Sequence, residues 1–153
     1  MSLKDKIVIV IGGSRGLGLG IVEALVDQGA KVTVVARSAV DLEVVSARFG
    51  VETISADITN QKAAKQILSD VRPEILVLNA GATPAMGPID RLSWEDFTKS
   101  WDTDVKGGLY WLQAALNVPL VTGARVLLSS SGAARQGSRP CLAVMRARSE
   151  CFG

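Results

Sequence analysis

Histidine is absent from this 153-residue chain, so no triad or metal centre that relies on imidazole can be built from it. Cysteine is scarce as well: Cys141 and Cys151 give neither a metal-ligand spacing nor a disulfide framework. No apolar run approaches the roughly 18 residues needed to span a bilayer. Residues 1–6 are polar in character, and the apolar pentad that follows, Ile7–Ile11, is too short for the core of a signal peptide. The expectation is therefore a cytoplasmic protein with no membrane partner. Charge of one sign is not in excess either, the formal net charge being only +2. Basic residues are scattered, apart from Arg135, Arg139, Arg146 and Arg148 near the end. A nucleic-acid binder normally carries a basic stripe, so no nucleic-acid partner is expected.

What is present in quantity is apolar residue, 48 % of the chain, at a length suited to one domain with a substantial core. Short apolar runs predict strands over Ile7–Ile11, 32–36, Glu52–Ser55, 75–79 and 125–129. Helical patterns fall between them, over 17–28, Ala39–Phe49, 60–70 and a long stretch of about 94–116. Ser93, followed by Glu95 and Asp96, reads as an N-cap with acidic residues in the first turn. Gly29 and Gly50 sit where helix C-caps would fall. Strands that alternate with helices imply βαβ units and a parallel sheet buried on both faces. No internal repeat, low-complexity segment or interdomain linker interrupts the pattern.

The richest segment is Gly12, Gly13, Ser14, Arg15, Gly16, Leu17, Gly18, which leaves the first strand and opens directly into a helical pattern. Glycine lets a backbone approach a ligand without a Cβ in the way, and a helix N-terminus offers free N–H groups to an anion. A tight strand-to-helix turn would use glycine too, so the composition alone is weak evidence for a phosphate site. The loop 81–88 follows the fourth strand at its carboxyl end, where ligands sit in open α/β sheets.

The spacing is more specific. Gly12, Gly16 and Gly18 give G-x-x-x-G-x-G, with Leu17 as the apolar residue between the last two. In this the chain resembles the short-chain dehydrogenase/reductase family, whose pattern is T-G-x-x-x-G-x-G; Ile11 stands in place of the usual threonine. The extended branch of related epimerases and dehydratases uses G-x-x-G-x-x-G, and the spacing here disagrees with it. The resemblance continues along the chain. Arg37 ends the second strand, where an acidic residue would hold the ribose hydroxyls of NAD and an arginine can pair with a 2′-phosphate instead. Arg15 lies where the family often carries a second basic residue for that phosphate. Either arginine alone could be a solvated surface charge; together they favour NADP over NAD. The pair Asp57 and Ile58 resembles the acidic-apolar pair that contacts the adenine, although a loop aspartate capping the helix at Asn60 would look the same. Asn79, Ala80 and Gly81 match the family's N-A-G motif after the fourth strand.

The resemblance implies a doubly wound α/β sheet of the Rossmann type, strand order 3-2-1-4-5, in a single domain over 1–153. It also implies a catalytic set: an asparagine in the long helix, a serine after the fifth strand, and a tyrosine and lysine four residues apart. Asp104 occupies the asparagine's place, within Asp104, Val105, Lys106, Gly107, and keeps an acceptor while losing the amide donor. Ser131, in the run Ser129, Ser130, Ser131, Gly132, fits the serine, though serines ending a strand are common turn formers. The tyrosine and lysine are missing: Met145 and Ser149 stand at their positions, and Tyr110, the chain's one tyrosine, falls in the long helix.

Met145 is encoded by ATG. If the Val144 codon ends in T, the frame one base back reads TAT, a tyrosine, and the codons of Arg146, Ala147, Arg148 and Ser149 can then yield alanine, glycine or serine, serine, and lysine. This suggests a frameshift after about Gly132 that scrambled an atypical tail, 133–153, and led to an early stop; a diverged natural tail is the other explanation. On these grounds the expected function is an NADP-dependent oxidoreductase that interconverts an alcohol and a carbonyl, truncated and impaired as it stands. The alternative is a non-catalytic NADP-binding sensor or interaction module. The family resemblance implies a homo-oligomer, but the fifth strand would be left as an exposed edge and the long helix without its usual neighbour, so poor solubility or non-native association is expected. No metal is expected.

Overall fold

The computed structural model describes residues 2–83 and 89–130 of the chain. In chain order these form β1 (Ile7–Ile11), α1 (Gly16–Asp27), β2 (Lys31–Ala36), α2 (Ala39–Phe49), β3 (Glu52–Ser55), α3 (Gln61–Val71) and β4 (Ile75–Leu78). A short 3-10 turn (Ile89–Arg91), α4 (Trp94–Ser100), a π-helical turn (Trp101–Val105), α5 (Lys106–Asn117) and β5 (Arg125–Leu128) follow. The five strands pair in parallel in the order β3-β2-β1-β4-β5. This is the Rossmann-type sheet that the strand–helix alternation predicts, with strand ends within one residue of expectation.

Burial on both faces explains why the strands read as continuous apolar runs rather than alternating ones. Side chains alternate across the sheet, so β1 sends Val8 and Val10 to one layer and Ile9 and Ile11 to the other. The first layer joins Val32, Val34 and Val77 to Val22 and Leu25 of α1 and to Leu42 and Val45 of α2. The second joins Val35, Leu76 and Leu78 to Ala64, Ile67 and Leu68 of α3 and to Trp111 and Ala114 of α5. Each such side chain removed from water contributes about 1.5–3 kcal/mol, and the pairing β1 on β2 and β4 fixes which residues share a layer.

Three helices begin on side-chain caps. Ser38 accepts from the Asp41 amide, Asn60 from the Ala63 amide and Ser93 from the Asp96 amide, each worth about 1 kcal/mol. Asn60 thus caps α3 by itself and Asp57 does not, which removes the capping explanation for Asp57. Gly50 ends α2 in the left-handed region at φ +66°, as its position suggests.

The long helix expected over 94–116 is not continuous. It is three pieces, with the π turn Trp101–Val105 inserted between α4 and α5. The widened turn carries Asp104, whose carboxylate accepts from the Ala82 amide at 2.6 Å, and it leads directly into Gly107, packed against Ile58. A Cβ on Gly107 would come within 2.7 Å of the Ile58 Cδ1, so a larger residue there would require the Ile58 side chain to shift. At the far edge of the sheet, β5 pairs with β4 and, among the described residues, with nothing else; Val126 and Leu127 are exposed. Loop residues 84–88 and the tail from 131 onward, including Ser131, Met145 and Ser149, lie outside the described residues.

Candidate functional site

The carboxyl ends of β1, β2 and β4 open on a cleft of about 730 Å³. Backbone hydrogen bonds set these ends: the Gly12 amide donates to the Val35 carbonyl at 2.7 Å, and the Asn79 amide to the Ile11 carbonyl at 3.0 Å. Beyond them the chain turns on Gly12, whose φ of +80° favours glycine. A Cβ on Gly12 would also fall 2.5 Å from the Ala80 Cα, so the turn packs directly on the N-A-G segment. The Asn79 Nδ2 donates to the Gly12 carbonyl at 3.3 Å and ties the two segments together. Gly18, one turn into α1, packs its Cα face on that same carbonyl, leaving no room for a side chain.

The cleft wall contains most of the cofactor-binding residues expected from sequence: Gly12, Ser14, Arg15 and Gly16 from the turn, Arg37 from the end of β2, Ile58, and Asn79, Ala80 and Gly81. Leu17, Gly18 and Asp57 are not on that wall. Leu17 is 67 % exposed at the start of α1, and Gly18 is buried beneath the turn, where its role is to let helix and strand meet. Asp57 is exposed and folds back on its own chain, its Oδ1 accepting from both the amide and the hydroxyl of Thr59 at 2.8 Å. Those two bonds, the backbone one first, hold its carboxyl below the usual aspartate range, with the charges of Arg37 and Lys106 adding to the effect.

Sequence reasoning missed part of the cleft. Ser38 and Asp41, from the first turn of α2, line it beside Arg37, as do Thr83 and Thr103. The S-x-x-D spacing at 38–41 was the available signal, since a capped helix start next to Arg37 places a second helix N-terminus at the cleft. Two exposed guanidiniums, two helix N-termini and small residues make the cleft suited to a polyanionic ligand. Asp41 is the one acidic side chain on its wall among the described residues.

A smaller cavity of about 240 Å³ adjoins the cleft, sharing Ile58 and Ala80 with it. Ile11, Leu78 and Leu128 line it from the sheet, Leu112 and Trp111 from α5, with Asp104 and Ser129 as its polar groups. Asp104 sits on this wall and clamps the loop through Ala82, whereas Ser131 lies outside the described residues. Two buried indole N–H groups, Trp101 Nε1 and Trp111 Nε1, have no hydrogen-bond partner among the described residues. No cluster of metal-ligating side chains occurs among the described residues, and no helix there is long and apolar enough to cross a membrane.

Comparison with known proteins agrees with this geometry. The family profile for short chain dehydrogenase matches residues 6–143. The chain is 30 % identical over 125 residues to an L-xylulose reductase of Mesocricetus auratus, covering 81 % of this chain and 51 % of that protein. It is 26 % identical over 145 residues to a galactitol 2-dehydrogenase of Agrobacterium fabrum, covering 90 % and 57 %. Among solved structures, a short chain dehydrogenase from Burkholderia cenocepacia in complex with NADP superposes with a TM-score of 0.85 at 26 % identity, covering 99 % of this chain and 66 % of that one. The chain thus spans about half the length of the curated relatives it matches.

Proposed function

Because the chain belongs to the short-chain dehydrogenase/reductase family, we propose that it forms the NADP-binding portion of an oxidoreductase that interconverts an alcohol and a carbonyl in a small molecule. The observation that carries this reading is the presence of Arg15 and Arg37 on one cleft wall with the Gly12–Gly16 turn. The residues fit the cofactor: the turn packs on Ala80 where a Cβ would clash, so its backbone faces the cleft, and the start of α1 offers N–H groups to a pyrophosphate. Arg37 and Arg15 would hold the 2′-phosphate, and a charge-assisted hydrogen bond of this kind contributes about 1.5–3 kcal/mol, about tenfold to a hundredfold in affinity over NAD. Asn79, Ala80 and Gly81 would line the path of the cofactor toward β5. When bound, the nicotinamide supplies hydride transfer.

The chain's own part in catalysis is positional. Asp104 holds the loop after β4 through the Ala82 amide, and Ser131, if it acts as the serine of the family does, would orient the substrate oxygen. The proton donor has no residue here, since methionine and serine stand at 145 and 149. The expected behaviour is therefore NADPH binding with little or no turnover. Fluorescence titration with NADPH and NADH, followed by a reductase assay on a panel of carbonyl compounds, tests this. NADPH bound at least tenfold more tightly than NADH, without turnover, agrees; tighter binding of NADH, or of neither, refutes it.

A further inference from the structure

Two helices begin at the dinucleotide cleft, and their first turns differ in charge. The start of α1 carries no acidic residue, so the positive end of its dipole is left for an anion. The start of α2 carries Asp41, three residues after the Ser38 cap. Both of these residues line the cleft together with Arg15 and Arg37. The Asp41 amide donates to Ser38 Oγ at 3.2 Å, which fixes the aspartate backbone beside the residue that follows Arg37. Among the described residues the Asp41 carboxylate lies in no ion pair, and neither Arg15 nor Arg37 is paired with a carboxylate. Asp41 thus leaves both guanidiniums open to a ligand while adding a negative charge to the same wall.

For the fold, an acid in this turn offsets the α2 dipole. The ligand feels the opposite effect. The positive end of α2 would favour a phosphate placed against Arg37, and Asp41 cancels that attraction and adds repulsion. We infer that Asp41 is a specificity-determining residue that acts against the 2′-phosphate, and so limits the preference for NADP over NAD that Arg15 and Arg37 create. The inference rests on the proposed cofactor reading. It requires no contact between carboxylate and phosphate, because the force is Coulombic and acts across water. An aspartate side chain is short, so no rotamer carries its charge away from this end of the cleft. The 2′-phosphate is a charged group where NAD has a neutral hydroxyl, so the repulsion falls mainly on NADP.

Fluorescence titration of the full chain with NADPH and NADH, in the wild type, Asp41→Asn and Glu43→Gln, tests this. Glu43 is exposed, on α2 and off the cleft wall, so Glu43→Gln makes the same change in net charge away from the ligand. Asp41→Asn keeps the backbone amide that Ser38 caps. It should tighten NADPH about two- to tenfold at about 0.01 M salt and change NADH by less than about twofold, with Glu43→Gln changing either by less than about twofold. The gain should shrink at about 0.15 M salt, where the screening length falls from about 30 Å to about 8 Å. Equal NADPH affinity in the wild type and Asp41→Asn, equal tightening of both nucleotides, or an equal gain in Glu43→Gln overturns the inference and leaves the cofactor reading intact. A wild type that favours NADH, or binds neither, refutes the cofactor reading and this inference with it.

Discussion

Gly18 and Gly20 lie two residues apart in α1, and the structure predicts opposite consequences for replacing them with alanine. In a helix, alanine is favoured over glycine by about 0.8–1.0 kcal/mol, so both changes begin with that gain. Gly20 is exposed and a Cβ there meets nothing within 4 Å, so Gly20→Ala keeps it and should stabilise the chain by about 1 kcal/mol. Gly18 is buried. A Cβ there would overlap the Gly12 carbonyl oxygen and lie 2.7 Å from the Asn79 Nδ2. The first neighbour is backbone and the second is held by its bond to that same carbonyl, so neither can move independently. Overpacking of this kind costs about 1–3 kcal/mol, and losing the Asn79 bond adds about 1 kcal/mol. Set against the helix gain, Gly18→Ala should destabilise by about 1–3 kcal/mol. The two variants should thus differ by about 2–4 kcal/mol, or about 4–16 °C in Tm for a chain of this size. Urea unfolding followed by far-UV circular dichroism measures the difference, with the slope expected to stay constant. A Gly18→Ala protein as stable as Gly20→Ala would refute the claim that the glycine turn is locked onto α1 and Asn79.

Three other outcomes follow from named contacts. The Glu74 carboxylate accepts from Lys6 Nζ at 2.6 Å and from the Ile7 amide at 3.1 Å, and these bonds hold its carboxyl below the usual range, as Thr59 does for Asp57. Both folded-state values are depressed, so their stabilisation is fully present above the ordinary carboxylate values of about 4 and is lost as pH falls through the lower folded values; Glu74→Gln should flatten that acid limb in urea midpoints measured against pH, and an unchanged limb would contradict it. Asp104→Ala should speed hydrogen exchange at the Ala82 amide about tenfold or more while Asp104→Asn, which keeps an acceptor, restores most of the protection; equal protection in wild type and Asp104→Ala would mean that the carboxylate does not hold the loop. For the tail, sequencing the DNA from codon 132 across and beyond the stop codon should reveal Tyr-x-x-x-Lys and a following βα pattern one base out of frame. A coding sequence in which no one-base shift restores both would leave divergence as the explanation.

The parts of this molecule that sequence made legible are those governed by local rules. Strands buried on both faces announce themselves as apolar runs, which is why Ile7–Ile11 and Glu52–Ser55 fall where expected. Capping is equally local, and Ser93 starts α4 as its neighbours Glu95 and Asp96 suggest. The glycine spacing placed Gly12, Arg15 and Gly16 on the cleft, and the end of β2 placed Arg37 there. Other features depend on contacts between distant segments. The π turn at Trp101–Val105 adds a residue to a helical turn without disturbing the apolar pattern enough to be noticed, and Ala82, which donates to its Asp104, is 22 residues away. Asp57 reads from sequence as a ligand contact or a cap, and the additional bonds its Oδ1 accepts from the amide and hydroxyl of Thr59 carry no sequence signature of their own. The smaller cavity exists only because α5 and the end of β5 come together over β1 and β4, a juxtaposition that no motif encodes.

The central claim is that the cleft takes NADP because Arg37 receives its 2′-phosphate. The most direct test is the ratio of the NADH and NADPH dissociation constants, measured by fluorescence titration at one fixed ionic strength, in the wild-type chain and in Arg37→Ala. The account predicts a ratio above ten in the wild type that falls toward one in the variant, through weaker NADPH binding with NADH binding unchanged. A wild-type ratio near or below one, or a ratio that survives the loss of Arg37, would contradict it.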